Sequence, residues 1–268
     1  MTYDIEAARS RCKRYRTRIL EISQQVQALH VAPAFSCMEI TDVIYNELMR
    51  WPEQTKSPDV FVMSKGHGCM SQYVILEDRG VLEKLDLDNY CKPEGRLGAH
   101  PDYGVPGIEA STGSLGHGMG LVTGMAYGER MIGGDGIIYS ILSDGECQEG
   151  STWEAAMMAG NKFLENLIVF VDNNDFSGLE RMSEGHQAFY PLQEKFEAFG
   201  FEGITVDGHD AEAILNAVRE RKGDRPMAVI CKTIKGKGVS YMEHVPIWHY
   251  RSPNQEEYTQ ALKELAEA

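Results

Sequence analysis

From Ile5 through Ala8, Cys12, Tyr15, Ile19, Ile22 and Val26 to Leu29, apolar residues recur at alternating spacings of three and four. This spacing predicts a long amphipathic helix, with Arg9, Lys13, Arg16 and Glu21 off the apolar stripe. A second helix is predicted from Met38 to Met49, stopping before Trp51-Pro52. Further on the pattern changes to short apolar runs rich in β-branched residues, at 59–63, 137–142, 167–171, 203–206 and 227–232. Helical text lies between them: from about 69 to 85, at 118–131, from Pro191 as the first helical residue to Phe199, and from an Asp210 N-cap to Arg221. A last polar amphipathic helix fills 254–268. Such alternation predicts an α/β fold, a mostly parallel sheet with helices on both faces. No linker, repeat or low-complexity stretch divides the chain, so a single domain over 1–268 is expected.

The segment from Ser143 to Asn174 carries the first chemical signal. The run Ile137 to Leu142 ends in Ser143-Asp144-Gly145, and the run Leu167 to Val171 ends in Asp172-Asn173-Asn174. Two strands joined by one helix form a βαβ unit, whose strands are parallel and end on one edge. Asp144 and Asn174 thus converge, although each lies in a pair ordinary enough for a plain turn. One carboxylate and one amide carbonyl are hard oxygens suited to Mg²⁺ or Ca²⁺ with positions left for phosphate oxygens. The carboxyl edge of a parallel sheet is also where α/β folds place ligands.

Charge and cysteine usage narrow the class. A formal net charge of −14 argues against nucleic acid or an anionic membrane as partner, since both need basic surface. The six cysteines have neither a CxxC pair nor a metal spacing, which predicts reduced, mostly buried thiols and a cytoplasmic protein. The charged start, Met1 to Arg18, lacks the apolar core of a signal peptide, and no run reaches the ~18 apolar residues of a membrane span.

Several histidines fall in loops. His67 follows a strand end in Ser64-Lys65-Gly66-His67, which puts it on the same edge as Asp144. His100 sits in Gly98-Ala99-His100-Pro101, within a long loop rich in Gly and Pro, a kind of loop that usually serves binding. Ser111 to Gly118 is a glycine turn opening a helix, a geometry suited to anions, though its glycines do not make a GxGxxG frame. Lys235-Gly236-Lys237-Gly238 lacks the GxxxxGK[ST] frame of a phosphate loop.

The string from Ser143 to Asn174 resembles the thiamine diphosphate motif, Gly-Asp-Gly followed about thirty residues later by Asn-Asn, and it is similar to that of transketolases in particular. The histidine motifs fall in that family's order along essentially the whole chain. The resemblance implies a thiamine diphosphate-binding fold in which Asp144, Asn174 and the backbone carbonyl of Phe176 hold Mg²⁺ (or Ca²⁺). It places Gly113, Ser114 and Leu115 against the cofactor rings and adds Gly145, Glu146 and His67 to the cofactor contacts. His30, His67, His100 and His249 become the active-site imidazoles, expected to shuttle protons with pKa values near neutrality. Glu149 and Glu154 resemble acidic residues that connect cofactor sites across a subunit interface. The implied reaction moves a two-carbon ketol unit from a ketose to an aldose.

The chain departs from the family in places. Ser143 replaces the first Gly of the motif, Leu29-His30-Val31-Ala32-Pro33-Ala34-Phe35 stands where glycines usually flank the His, Asp175 to Arg181 is unusual after the metal Asn, and Tyr250 follows His249 in place of Gly. Bulk around His30 should reshape the substrate mouth. A complete transketolase is more than twice this length and carries a pyrimidine-binding domain. The resemblance is therefore to the N-terminal subunit of a split transketolase, inactive alone and forming a dimer of heterodimers with a C-terminal subunit. Left open are a thiamine-dependent acyloin or 1-deoxyxylulose-phosphate-type synthase and a non-catalytic regulatory subunit that binds the cofactor. The α chain of a 2-oxo acid dehydrogenase fits poorly because of the histidines.

Overall fold

A computed structural model describes residues 3–26, 29–186 and 188–267. The helices are α1 (Ile5–Ser23), α2 (Val31–Ser36), α3 (Met38–Val43), α4 (Cys69–Asp78), α5 (Lys84–Asp88), α6 (Gly118–Met131), α7 (Gly150–Asn161), α8 (Met182–Gly185), α9 (Leu192–Ala198), α10 (Ala211–Arg219) and α11 (Gln255–Glu267). The strands are β1 (Val60–Met63), β2 (Ile138–Ser143), β3 (Leu167–Asn173), β4 (Phe176–Ser177), β5 (Glu180–Arg181), β6 (Glu202–Asp207) and β7 (Met227–Lys232). Five of them form one parallel sheet in the order β1-β2-β3-β7-β6, and β4 and β5 make a small hairpin.

The period-two rule explains how this sheet is covered. Phe61, Tyr139, Ile141, Ile168, Phe170, Val229 and Cys231 enter a core shared with α1 to α4, α10 and α11. Their neighbours Val62, Ile138, Leu142, Val169, Val171, Ala228 and Ile230 enter a second core with α6, α7 and α9. Because both faces are buried, the strands read as unbroken apolar runs.

The boundaries differ from the sequence reading in a few places. The α1 helix starts at an Asp4 cap, whose carboxylate accepts from Ala7 N (3.0 Å), and ends at Ser23. The expected extension to Leu29 crosses Gln27 and Ala28, which lie outside the described residues, yet Leu29 is still buried in the core. After α3 the chain widens into a π-turn over Ile44–Leu48, where Met49 N donates to Ile44 O (2.9 Å). The helix expected to about Leu85 breaks after Asp78, where Gly80 takes a φ of +72°. Pro191 stands at the cap of α9, one residue earlier than expected. Asp210 caps α10 as expected, accepting from Ala213 N (3.0 Å). Among the described residues, no helix is long and apolar enough to cross a membrane. Five of the six free cysteines are buried, and Cys91 is exposed.

Candidate active site

The loops leaving the carboxyl ends of β1, β2, β3 and β7 surround a cavity of about 250 Å³. His30, His67, His100 and His249 reach it from four separate segments. The His30 ring centroid lies 6.0, 5.7 and 5.4 Å from those of His67, His100 and His249, and His67 lies 5.1 Å from His249. Gly113, Leu115, Gly145, Asn174 and Phe176 line the same cavity. Two glycines allow the loops to meet. A Cβ on Gly66 would come within 2.7 Å of Gly113 Cα, and one on Gly113, which has a φ of +128°, would come within 2.7 Å of the His100 ring.

Asp144 lies fully buried beside the cavity, in the turn after β2. Its Oδ1 accepts from Gly145 N (2.9 Å), and its Oδ2 accepts from Asp175 N (2.6 Å) and Tyr190 Oη (3.0 Å). Burial, then the nearby Asp172 charge, pushes its pKa up to about 7 against the pull of those hydrogen bonds. A buried carboxylate in that state is short of positive charge. Asn174 Oδ1 accepts from Phe176 N (3.1 Å), and the Phe176 carbonyl lies 3.3 Å from where a Cβ on Gly145 would stand. The Phe176 carbonyl thus lies against Gly145, next to Asp144 in sequence, and Asn174 lies beside Phe176; all three offer hard oxygens of the kind a divalent cation takes. Among the described residues, no group of three or more His, Cys, Asp or Glu could hold a metal ion.

Other expected residues lie apart from the cavity. Glu146 is buried behind it, with Oε1 accepting from Ser64 Oγ (2.6 Å) and Gly116 N (2.9 Å), so it braces the 113–116 loop. Ser114 is exposed, as are Glu149 at the cap of α7 and Glu154 on that helix. None of the three lines the cavity with the histidines.

The sequence reading missed an interior layer of charge. Lys65 and Asp172, both fully buried, form an ion pair beneath the histidines. Asp172 also accepts from Ser36 Oγ (2.7 Å), Asn174 Nδ2 (3.1 Å) and the Thr233 hydroxyl. Lys235 Nζ donates to Gly178 O (3.0 Å) and sits 2.8 Å from His249 Nδ1. Burial, and then the Lys65 charge, lowers the Lys235 pKa to about 8. The available signal for Lys235 was its place just past the end of β7, whatever the glycine spacing around it.

These two ammonium groups correct the expectation of near-neutral imidazoles. Burial, with His100, Lys235 and Lys65 adding like charge, lowers His30 to about 4. Burial and Lys235 lower His249 to about 3, and burial and Lys65 carry His67 well below its ordinary range. In the ligand-free chain these rings should be neutral at pH 7, and NMR titration from pH 8 to 5 should show no protonation step for His30 or His249. A step near pH 6.5 for either would contradict the charge layout. The unfolded chain takes up these protons near pH 6.5 and the fold does not. Stability from these rings is therefore present above pH 6.5 and is lost as pH falls toward about 4.

Comparison with known proteins shows the family. The family model described as "Transketolase, thiamine diphosphate binding domain" matches residues 8–265. The chain belongs to the transketolase family. It is 35% identical to one of the subunits of the apulose-4-phosphate transketolase of Phocaeicola vulgatus, over 98% of this chain and 95% of that protein. It is also 35% identical to a 6-deoxy-6-sulfo-D-fructose transketolase subunit of a Clostridium species, over 88% of each. Among solved structures, transketolase from Campylobacter jejuni superposes with a TM-score of 0.92 at 26% identity, covering 98% of this chain and 43% of that one. Transketolase from Leishmania mexicana gives 0.90 at 27%, covering 99% and 42%. The fold is the thiamine diphosphate-binding fold of transketolases, and the chain spans about two fifths of those full-length enzymes.

Proposed function

We propose that this chain is the N-terminal, diphosphate-binding subunit of a two-subunit transketolase, passing a two-carbon ketol unit from an anionic ketose to an aldose. The observation that carries the reading is the convergence of four imidazoles on one cavity beside Asp144 and Asn174. Asp144, Asn174 and the Phe176 carbonyl would hold Mg²⁺ (or Ca²⁺), which neutralises the buried Asp144 carboxylate and leaves positions for diphosphate oxygens. Thiamine diphosphate, when bound, supplies the electron sink that no side chain here provides. The neutral imidazoles present ring nitrogens that can donate to or accept from a sugar's hydroxyls, and Lys235 adds a cation at His249. An anionic donor suits that cation. The two relatives named above carry phosphate and sulfo groups in the names of their substrates.

Support for a partner comes from how relatives of this size are named. Relatives named as separate transketolase subunits match most or nearly all of this chain and of their own length, whereas the chain covers 40% of human transketolase at 33% identity. We infer a cytoplasmic assembly with a C-terminal subunit carrying the pyrimidine-binding domain, as a dimer of heterodimers. The test is to assay the chain with thiamine diphosphate and Mg²⁺, alone and with a separately produced C-terminal transketolase subunit. Ketol transfer should appear only with the pair, and robust transfer by the chain alone would refute the need for a partner.

A further inference from the structure

The turn Asp207-Gly208-His209-Asp210 lies outside the cavity, yet it grips the segment that enters it from β7. Gly208 N donates to Lys232 O (2.8 Å), and a Cβ on Gly208 would come within 2.3 Å of Thr233 Cγ2, so the turn sits directly against the strand end. Past that point ladder pairing stops. Thr233 N still donates to Asn173 O (3.1 Å), but Ile234 N donates to the Nε2 of His209 (2.8 Å), its acceptor among the described residues. Since Nε2 accepts, the ring hydrogen lies on Nδ1, which donates to Glu39 Oε2 (2.9 Å). Glu39 is held in turn by Arg16 through Nη1 (2.6 Å) and Nη2 (2.8 Å), and that Nη2 also donates to Phe35 O (2.8 Å). Arg16, which is buried, and the half-buried Glu39 and His209 line a groove of about 800 Å³ beside α1, α10 and α11, separate from the histidine cavity. One face of the segment is thus fixed by a three-residue relay. From the other face Thr233 reaches Asp172, and Lys235 reaches Gly178 and His249.

We infer that His209 is a positioning residue, which sets Lys235 beside His249 by accepting the Ile234 amide; its effect on turnover rests on the function proposed above. Gly236 N donates to Ala32 O (3.1 Å), so the segment is pinned on both sides of Lys235, and His209 is the pin nearer the sheet. Losing it loosens the segment just before Lys235, whose carbonyl is still held by His244 N (3.2 Å), and touches neither Asp144 nor Asn174. The effect should therefore fall on the substrate side of the site and spare cofactor retention.

Two variants of the full chain separate this from a general structural role. His209→Phe keeps an aromatic ring without its nitrogens, and His209→Gln loses the ring but keeps a side-chain acceptor and donor. His209→Ala replaces the first should the phenylalanine not be accommodated. Amide hydrogen exchange on the chain alone should speed up at Ile234 by about tenfold in His209→Phe and recover in His209→Gln, as expected for one lost hydrogen bond. In the assembled pair, His209→Phe should lower kcat/KM for the donor ketose by about tenfold, with the Kd for thiamine diphosphate and Mg²⁺ within about threefold of wild type. Unchanged exchange overturns the inference. So does a kcat/KM loss matched by an equal loss of cofactor affinity, or a glutamine variant no better than the phenylalanine one. If the wild-type pair transfers no ketol unit, the proposed function fails on its own and the exchange experiment decides the role of His209.

Discussion

Asp144→Asn is expected to change two measurements in opposite directions. By calorimetry on the assembled pair, Mg²⁺-dependent binding of thiamine diphosphate should weaken by at least about a hundredfold, because the one carboxylate of the donor set is gone. In the ligand-free chain at pH 8, the same variant should melt at a higher temperature than wild type. Burial and the Asp172 charge raise the folded-state pKa of Asp144 to about 7, while the unfolded carboxyl titrates near its ordinary value. The stability tied to this group is therefore fully present below pH ~4 and is lost as pH rises through about 7. The cost above that range, already reduced by the three hydrogen bonds the carboxylate accepts, is on the order of a few kcal/mol. Asparagine removes the charge, but its Nδ2 must then face one of the two backbone N–H groups the carboxylate accepts, so it recovers only part of that cost. Unchanged cofactor affinity would remove the metal assignment, and an unchanged or lower melting temperature at pH 8 would show that the charge is neutralised within the fold.

The second large effect concerns the ion pair beneath the histidines. Burial alone would lower the Lys65 pKa and raise that of Asp172, but each group's attraction for the other reverses the sign, so both are charged. Lys65→Met keeps the apolar stem and strips the ammonium from Asp172, leaving that carboxylate with only neutral donors. Removing one partner of such a buried pair costs about 3–5 kcal/mol, which should appear as a lower urea midpoint with an unchanged slope. Lys65→Met combined with Asp172→Asn should regain at least half of the loss, since no charge is then stranded. A single variant within about 1 kcal/mol of wild type would mean that water or rearrangement solvates Asp172.

How much of this was legible in the sequence depended on whether the signal was local. Helix α6 matches its predicted span from Gly118 to Met131, and all five sheet strands fall where short apolar runs placed them, because period and end signals lie within each segment. Asp144 and Asn174 could be paired from sequence because one βαβ unit fixes their geometry. Lys65 and Asp172 could not. Each stands in a motif noticed for another residue, His67 in one case and Asn174 in the other, and their contact requires β1, β2 and β3 to align. The depressed imidazole pKa values were hidden for a related reason. They follow first from burial of the rings and then from Lys65 and Lys235 lying close to them, and sequence spacing carries no information about either. His209 was visible only as part of the turn before α10, since its partners Glu39 and Ile234 come from distant segments.

The acceptor role of Asp172 has a consequence for how the chain acquires its site. Its partners Ser36, Lys65 and Thr233 are separated from it by 136, 107 and 61 residues. Closing loops of that length is slow, and it gains nothing until the partners on both sides have arrived. During synthesis Ser36, Lys65 and Asp172 all emerge before Thr233, so the buried charge must wait for β7 to dock before its shell is complete. Compaction of the earlier strands should therefore precede completion of the Asp172 shell, and a nascent chain stalled before residue 233 would hold that charge with one of its hydroxyl donors still to come.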